Sequence, residues 1–174
     1  MIDCPFQKIY PSALEKNADY FMAHAFNLAV DAWNNDEVPI GAVVVHNQEI
    51  VASAGNETRQ QTDPTAHAEM IAITMASRNL GDWRLNECDL YVTKEPCPMC
   101  SGATITARIG KVFFGLEDPK MGCLGGASSL HLLTHSNHKP YVKSGILRDP
   151  CAEIIQTFFQ YQRSTNRSKY VKDQ

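Results

Sequence analysis

The sequence predicts an α/β protein in which helices sandwich a mixed β-sheet. Three observations carry this expectation. Residues 40–45 (Ile40-Gly41-Ala42-Val43-Val44-Val45) are continuously apolar, and Asn47-Gln48 separates them from a second strand-like run at 49–54, the mark of a hairpin. Beyond that hairpin, strand-like and helix-like segments alternate, as they do when helices cross over a sheet. The chain of 174 residues, 44% apolar and 20% charged, is long enough for one buried core and is not composed like a disordered polymer.

Residues 1–18, with Pro5 and Pro11, read as a poorly specified lead-in, and residues 19–174 as the domain. Over 19–34, Phe21, Ala25, Leu28 and Ala32 recur at three- and four-residue steps, giving an amphipathic helix that Asn34-Asn35-Asp36 ends. After the hairpin, Asp63-Pro64 predicts a helix start, with Asp63 as the cap and Pro64 at the first helical position, running to about Arg78. Leu90-Tyr91-Val92-Thr93 is a short strand. Pro96-Cys97-Pro98 begins a third helix that ends near Arg108, and 111–115, around Val112-Phe113-Phe114, is another core strand. Residues 117–139, with Gly122, Gly125 and Gly126, are expected as loop with at most a short helical turn. Pro150 opens a last helix through Phe158-Phe159 to Arg163.

The net charge is only −3, but it is unevenly spread. Residues 1–137 hold 9 basic and 16 acidic side chains, whereas residues 138–174 hold 7 and 3. A basic end on an acidic body points towards a polyanion, although charge runs more often serve only as solvated surface. No stretch approaches the roughly 18 apolar residues of a membrane helix. Met1-Ile2-Asp3-Cys4-Pro5 has neither the basic start nor the apolar core of a secretory leader, so a cytoplasmic protein is expected. In a reducing compartment close cysteines serve metals or catalysis and not disulfides. Only Cys97 and Cys100 are close; Cys4, Cys88, Cys123 and Cys151 are scattered.

Two short patterns carry chemistry: His67-Ala68-Glu69, and Pro96-Cys97-Pro98-Met99-Cys100 thirty residues later. Their joint appearance by chance comes to roughly 0.003 in a chain of this composition, so coincidence is a poor account. Cys97 and Cys100, three residues apart, share one side of a first helical turn, and thiolates with an imidazole are ligands that zinc favours. A helix N-terminus favours the thiolate form. His67 supplies a third ligand. Residues 67 and 69 lie about 200° apart around a regular helix, so they share a site only beyond the helix end. The spacing therefore predicts two helix N-termini converging on one metal. Three protein ligands leave a tetrahedral corner for water, the layout of a catalytic zinc, which brings that water's pKa towards about 7. Glu69 is then placed to take the water's proton and hand it to a leaving amine.

Plainer readings stand beside this one. His67 and Glu69 alone could be a helix-start histidine with a carboxylate complementing the helix dipole. The cysteine pair could be a redox motif, or half of a closed structural zinc site with a fourth ligand among His24, His46, His131, His135 and His138.

His67-Ala68-Glu69 together with Pro96-Cys97-x-x-Cys100 resembles the zinc-dependent cytidine/adenosine deaminase superfamily. Within it the chain is similar to the bacterial tRNA-specific adenosine deaminases, which convert wobble adenosine to inosine. The likeness runs from about Tyr20 to Arg163 and includes Val38-Pro39-Ile40-Gly41-Ala42, Asn56, Asp63-Pro64-Thr65-Ala66, Arg108-Ile109-Gly110, Phe114-Gly115, Asp118, Asn137-His138, Gly145-Ile146-Leu147 and Phe158-Phe159. The resemblance implies a three-layer α/β/α cytidine-deaminase-like fold with a central mixed five-stranded sheet, one zinc ion per subunit, a homodimer and a tRNA anticodon stem-loop as partner.

It also implies residue roles. Asn56 hydrogen-bonds the target nucleoside, and the backbone N–H of Ala68 polarises its base. Asp118 and Lys120 meet neighbouring anticodon nucleotides, Asn137 approaches the flipped nucleotide, and Phe159 and Arg163 contact flanking bases and phosphates. Aromatic residues interleaved with basic ones suit stacking on unpaired bases, and core packing is expected for one of Phe158 and Phe159. The chain departs from the family wording at Cys123, Leu124, Gly126 and Ala127, at Pro140, Tyr141 and Lys143, and in a less basic last helix. Two other classes stay in view: a free-base or nucleotide deaminase of guanine or cytosine type using the same zinc site, and a catalytically silent zinc-stabilised tRNA-binding subunit, against which Glu69 argues.

Overall fold

One sheet with two apolar faces organises the chain. The computed structural model describes residues 3–172, the side chains of Ala13 and of residues 166–172 excepted. Five strands lie in the order β2-β1-β3-β4-β5. β1 (Gly41–His46) and β2 (Glu49–Gly55) form the expected antiparallel hairpin. Its two-residue turn has Asn47 and Gln48 at φ 50° and 64°, left-handed values that suit the twist of the flanking strands. β1 also pairs antiparallel with β3 (Cys88–Lys94), which pairs in parallel with β4 (Lys111–Leu116), which pairs in parallel with β5 (Tyr141–Lys143). The sheet is therefore mixed and five-stranded, as the resemblance implied.

β1 is apolar from Gly41 to Val45 because both of its faces are covered. Val43 and Val45 face a cluster with Phe21, Phe26, Trp33 and Phe158, contributed by α1 (Ala18–Asn34) and α4 (Arg148–Lys172). Ala42 and Val44 face the opposite cluster with Ala72, Ile73 and Ala76 of α2 (Ala68–Leu80), and α3 (Pro98–Thr106) adds Ala103 at its edge. Gly41 lets α1 ride directly on the sheet, since a Cβ there would meet the Ala25 carbonyl. Residues 3–17 lie along α1. Ile9 and Asn27 exchange two hydrogen bonds of 2.8 and 2.7 Å, Lys8 pairs with Asp31 at 2.7 Å, and Phe6 sets its ring 6.4 Å from Trp33.

Most expected elements lie where periodicity put them, with three differences. α2 begins at Ala68 and not at Pro64, with His67 as its N-cap. The preceding residues wind into turns: the Asp63 carboxylate accepts from the Thr65 N–H and hydroxyl, both at 2.7 Å, and Asp63 caps no helix. β5 was not anticipated; a three-residue strand gives too short a pattern to read. α4 starts at Arg148, so Pro150 sits inside its first turn, where a missing N–H costs nothing. Elsewhere the loop after β4 carries one short 3₁₀ turn, Leu130–Leu132, as expected, and α2 stops at Gly81, whose φ of 70° makes the left-handed cap that glycine favours.

Candidate active site

Two helices on the same face of the sheet bring their N-termini together. His67 caps α2 and Cys97 caps α3, both with extended backbone; the His67 side chain makes no capping bond to its own helix, and the Cys97 sulfur accepts from Cys100 in the first turn of α3. From these positions the two side chains face each other. His67 Nδ1 lies 3.5 Å from Cys100 Sγ and 3.8 Å from Cys97 Sγ. The three ligand atoms all fall within 4.8 Å of one another, and they are the one such group among the described residues. A tetrahedral zinc with ordinary Zn–N and Zn–S bonds sets its nitrogen and sulfur ligands about 3.6 Å apart, so this donor set fits zinc by spacing as well as by chemistry.

The electrostatics agree. The Cys97 thiol is pulled down to about 3, first by the hydrogen bond that Cys100 donates to it and also by His67. The same bond, with burial, pushes Cys100 up. The bond to Cys97 raises His67 against the opposing effect of burial. Three groups thus share protons that a cation would displace.

Glu69 stands in the first turn of α2, only 3% exposed, and its Oε2 has no hydrogen-bond partner among the described residues. Burial pushes its pKa up. A buried carboxylate oxygen without a donor is unfavourable by about 1–3 kcal/mol and is kept where something else must meet it.

Asn56, just beyond β2, is buried, and its Oδ1 accepts the Ala68 N–H at 2.8 Å. The Ala68 N–H, expected to meet the substrate base, is held by Asn56 here. The same bond fixes the amide orientation, so Asn56 presents its NH2 as a donor.

Asp118, expected to meet anticodon nucleotides, also has partners within the fold. Its Oδ2 pairs with Lys94, while Oδ1 accepts from the Lys120 N–H at 2.9 Å and the Met121 N–H at 3.2 Å. Burial works to raise its pKa, but Lys94 and these N–H groups outweigh that and hold the carboxyl below the usual range. Asp118 shapes its loop, and Lys120 is the exposed cation there.

Phe158 is core, 5.1 Å from the Trp33 ring, whereas Phe159 is 41% exposed and Arg163 stands exposed on α4. Asn137 lines a hollow with Ile105, Thr106 and Leu133, beside the C-terminal half of α3, so it is not gathered with the cluster at that helix's N-terminus. Of the basic C-terminal end, the side chains of Arg167, Lys169 and Lys172 lie outside the described residues.

Sequence reasoning missed two buried carboxylates. Glu37, 1% exposed, accepts from the Thr58 hydroxyl (2.8 Å) and from the N–H groups of Arg59 (2.6 Å) and Gln60 (2.9 Å), winding the loop that delivers His67. Glu95, immediately before the Pro96-Cys97 turn, accepts from the N–H groups of Asp118, Leu124 and Gly126. The available signal was an acid directly before Val38-Pro39 in one case and before Pro96 in the other.

Comparison with known proteins places this geometry. The MafB19-like deaminase family profile matches residues 16–163. A tRNA-specific adenosine deaminase of Bacillus subtilis (strain 168) is 43% identical over 150 residues, 86% of this chain and 93% of that protein. One from Agrobacterium fabrum is 43% identical over 144 residues, 83% of this chain and 95% of that protein. A solved structure from work on A-to-I editing by tRNA:A34 deaminases superposes with a TM-score of 0.76 at 44% identity, covering 78% of this chain and 98% of that one. The Bacillus subtilis guanine deaminase structure gives a TM-score of 0.56 at 42% identity over 58% of this chain and 65% of its own. With two converging helix N-termini, a His-Cys-Cys cluster, and near-complete coverage of relatives of one kind, the chain belongs to the family of tRNA-specific adenosine deaminases.

Proposed function

We propose that the protein hydrolytically deaminates adenosine to inosine at the wobble position of tRNA anticodon loops, using one zinc ion per subunit held by His67, Cys97 and Cys100. The buried carboxylate of Glu69 beside that cluster, whose Oε2 has no hydrogen-bond partner among the described residues, carries the catalytic half of the reading. The substrate half rests on relatives named for tRNA and matched over more than nine-tenths of their length.

When bound, zinc supplies a Lewis acid that makes water a nucleophile near neutral pH. This chain's own residues do the rest. Asn56, locked by the Ala68 N–H, offers its NH2 to the purine and fixes the base against the site. Water adds at C6, and Glu69 takes its proton and delivers it to the amino nitrogen, so that ammonia leaves and inosine remains. Enclosure of Glu69 keeps bulk water from competing for that proton. Phe159 offers a face for stacking an unpaired base, and Lys120 and Arg163 offer charge to phosphates. The enzyme works in the cytoplasm as a homodimer. Exposed Leu132 and Leu133 beside α3 support such an interface, and Asn137 lines the same hollow as Leu133.

The test incubates zinc-loaded protein with an anticodon stem-loop bearing wobble adenosine, with free adenine, guanine and cytidine in parallel. Inosine and ammonia from the stem-loop alone are expected. Turnover of guanine or cytidine with the stem-loop untouched would make the protein a free-base deaminase. No turnover with zinc fully bound would make it a silent RNA-binding subunit.

A further inference from the structure

The chain between β4 and the Leu130–Leu132 turn folds around a single carboxylate. Glu95 Oε2 accepts from the Asp118 N–H at 2.8 Å, and Oε1 accepts from Leu124 at 2.9 Å and Gly126 at 2.8 Å. Gly122 and Gly126 press against it so closely that a Cβ at either position would run into the Glu95 carboxylate and the Asp118 carbonyl. Glu95 is 2% exposed, and its own N–H donates to Leu116 O at 2.7 Å, which ties it to the end of β4.

The segment's other backbone bonds are mostly its own turn contacts, Gly122 N–H to the Asp118 carbonyl and Gly125 N–H to the Ser128 carbonyl, and Glu95 is the buried side chain that takes three of its N–H groups from outside. Gly125 and Gly126 border a cavity of about 690 Å³ shared with Phe114, His131 and Arg148, so on that side they have room to move. The metal-ligand turn next door is tied to the same loop by one bond, Cys123 N–H to the Pro96 carbonyl at 3.0 Å, and to its own helix by another, the Ser101 hydroxyl to that carbonyl at 3.0 Å. Removing the Glu95 carboxylate therefore loosens the loop at Asp118, Leu124 and Gly126, while the Ser101 hydroxyl still holds the turn that carries Cys97.

We infer that Glu95 is a positioning residue: its carboxylate sets residues 118–126, which carry Lys120, in the conformation that receives RNA, and so governs substrate affinity without entering the chemistry. The RNA half of this inference rests on the tRNA reading above; the loop-holding half does not.

Glu95→Gln keeps the shape but replaces one accepting oxygen with an NH2 that faces N–H donors. Gly126→Ala attacks the same contact from the loop side and serves if the first variant does not fold. Both are made in the full chain and loaded with zinc. Amide hydrogen exchange at Asp118, Leu124 and Gly126 is expected to quicken by about tenfold or more. The KM for the anticodon stem-loop should rise about 10- to 100-fold, the effect of losing one or two charge-assisted hydrogen bonds, with kcat near wild type and one zinc per chain. Loss of kcat at unchanged KM, or loss of zinc, would overturn the inference by making Glu95 part of the metal turn. Unchanged exchange at all three amides would overturn it outright. If the wild-type protein ignores the stem-loop, the proposed function fails, and the exchange pattern still decides whether Glu95 holds the loop.

Discussion

Replacing Glu69 with glutamine separates chemistry from architecture. The amide has the same shape but cannot take a proton, and loss of a general acid/base lowers rates by about 10²–10⁴, or about 2.7–5.5 kcal/mol on the barrier. The structure says what the change should not do. Oε2 has no hydrogen-bond partner among the described residues, so no hydrogen bond at that oxygen is lost; the attraction between the carboxylate and His67 goes, and with it the larger cost of burying the charge. Glu69 is also not among the three ligand atoms, so zinc stoichiometry should hold. The expected triad is deamination of the stem-loop down by at least about 100-fold in single-turnover conditions, zinc content unchanged, and a melting midpoint equal to wild type or higher. Near-normal turnover would refute the proton-transfer role. Loss of activity accompanied by loss of zinc or a lower midpoint would show that Glu69 is structural and the argument from its unpartnered oxygen wrong.

Other outcomes follow from the same geometry. Glu37→Ala strips the acceptor from three donors of the loop before His67 and should lower unfolding free energy by about 3 kcal/mol, measured by urea melts. His24 Nε2 is buried with no hydrogen-bond partner among the described residues, and burial holds its pKa below the ordinary 6.5. Protonation then favours the unfolded chain, so stability present above pH 6.5 is lost as pH falls below it towards the lowered folded value. In His24→Leu this loss should shrink, so thermal melts should show the variant gaining on wild type between pH 7 and pH 5. Stem-loop affinity should fall with added salt, by a slope of about 0.7 per phosphate contact on logarithmic axes. Lys120→Ala should reduce that slope by about one contact's worth, and a salt-independent KM would argue for a small-molecule substrate.

What the sequence made legible was chemistry held by neighbours in the chain. His67, Glu69, Cys97 and Cys100 could be read because ligand type and short spacing specify them, and the two helix caps then bring distant segments together as expected. The start of α2 was misplaced because Asp63-Pro64 suits a turn as well as a helix. What decides is Glu37, more than twenty residues upstream, which takes the N–H groups of Arg59 and Gln60. Asp118 and the Ala68 N–H have internal partners that short spacing does not reveal, for a related reason. Each carries hydrogen-bonding capacity that a substrate could use, but a tertiary partner (Lys94 for one, Asn56 for the other) already takes it. Glu95 escaped notice because its three donors lie 23 to 31 residues away.

The open corner of the metal site is best tested by X-ray absorption at the zinc edge on freshly purified protein. One imidazole nitrogen, two sulfurs and one further light atom exchangeable with solvent are expected for each chain. A third sulfur, a second imidazole, or no bound zinc would contradict a hydrolytic centre built from His67, Cys97 and Cys100.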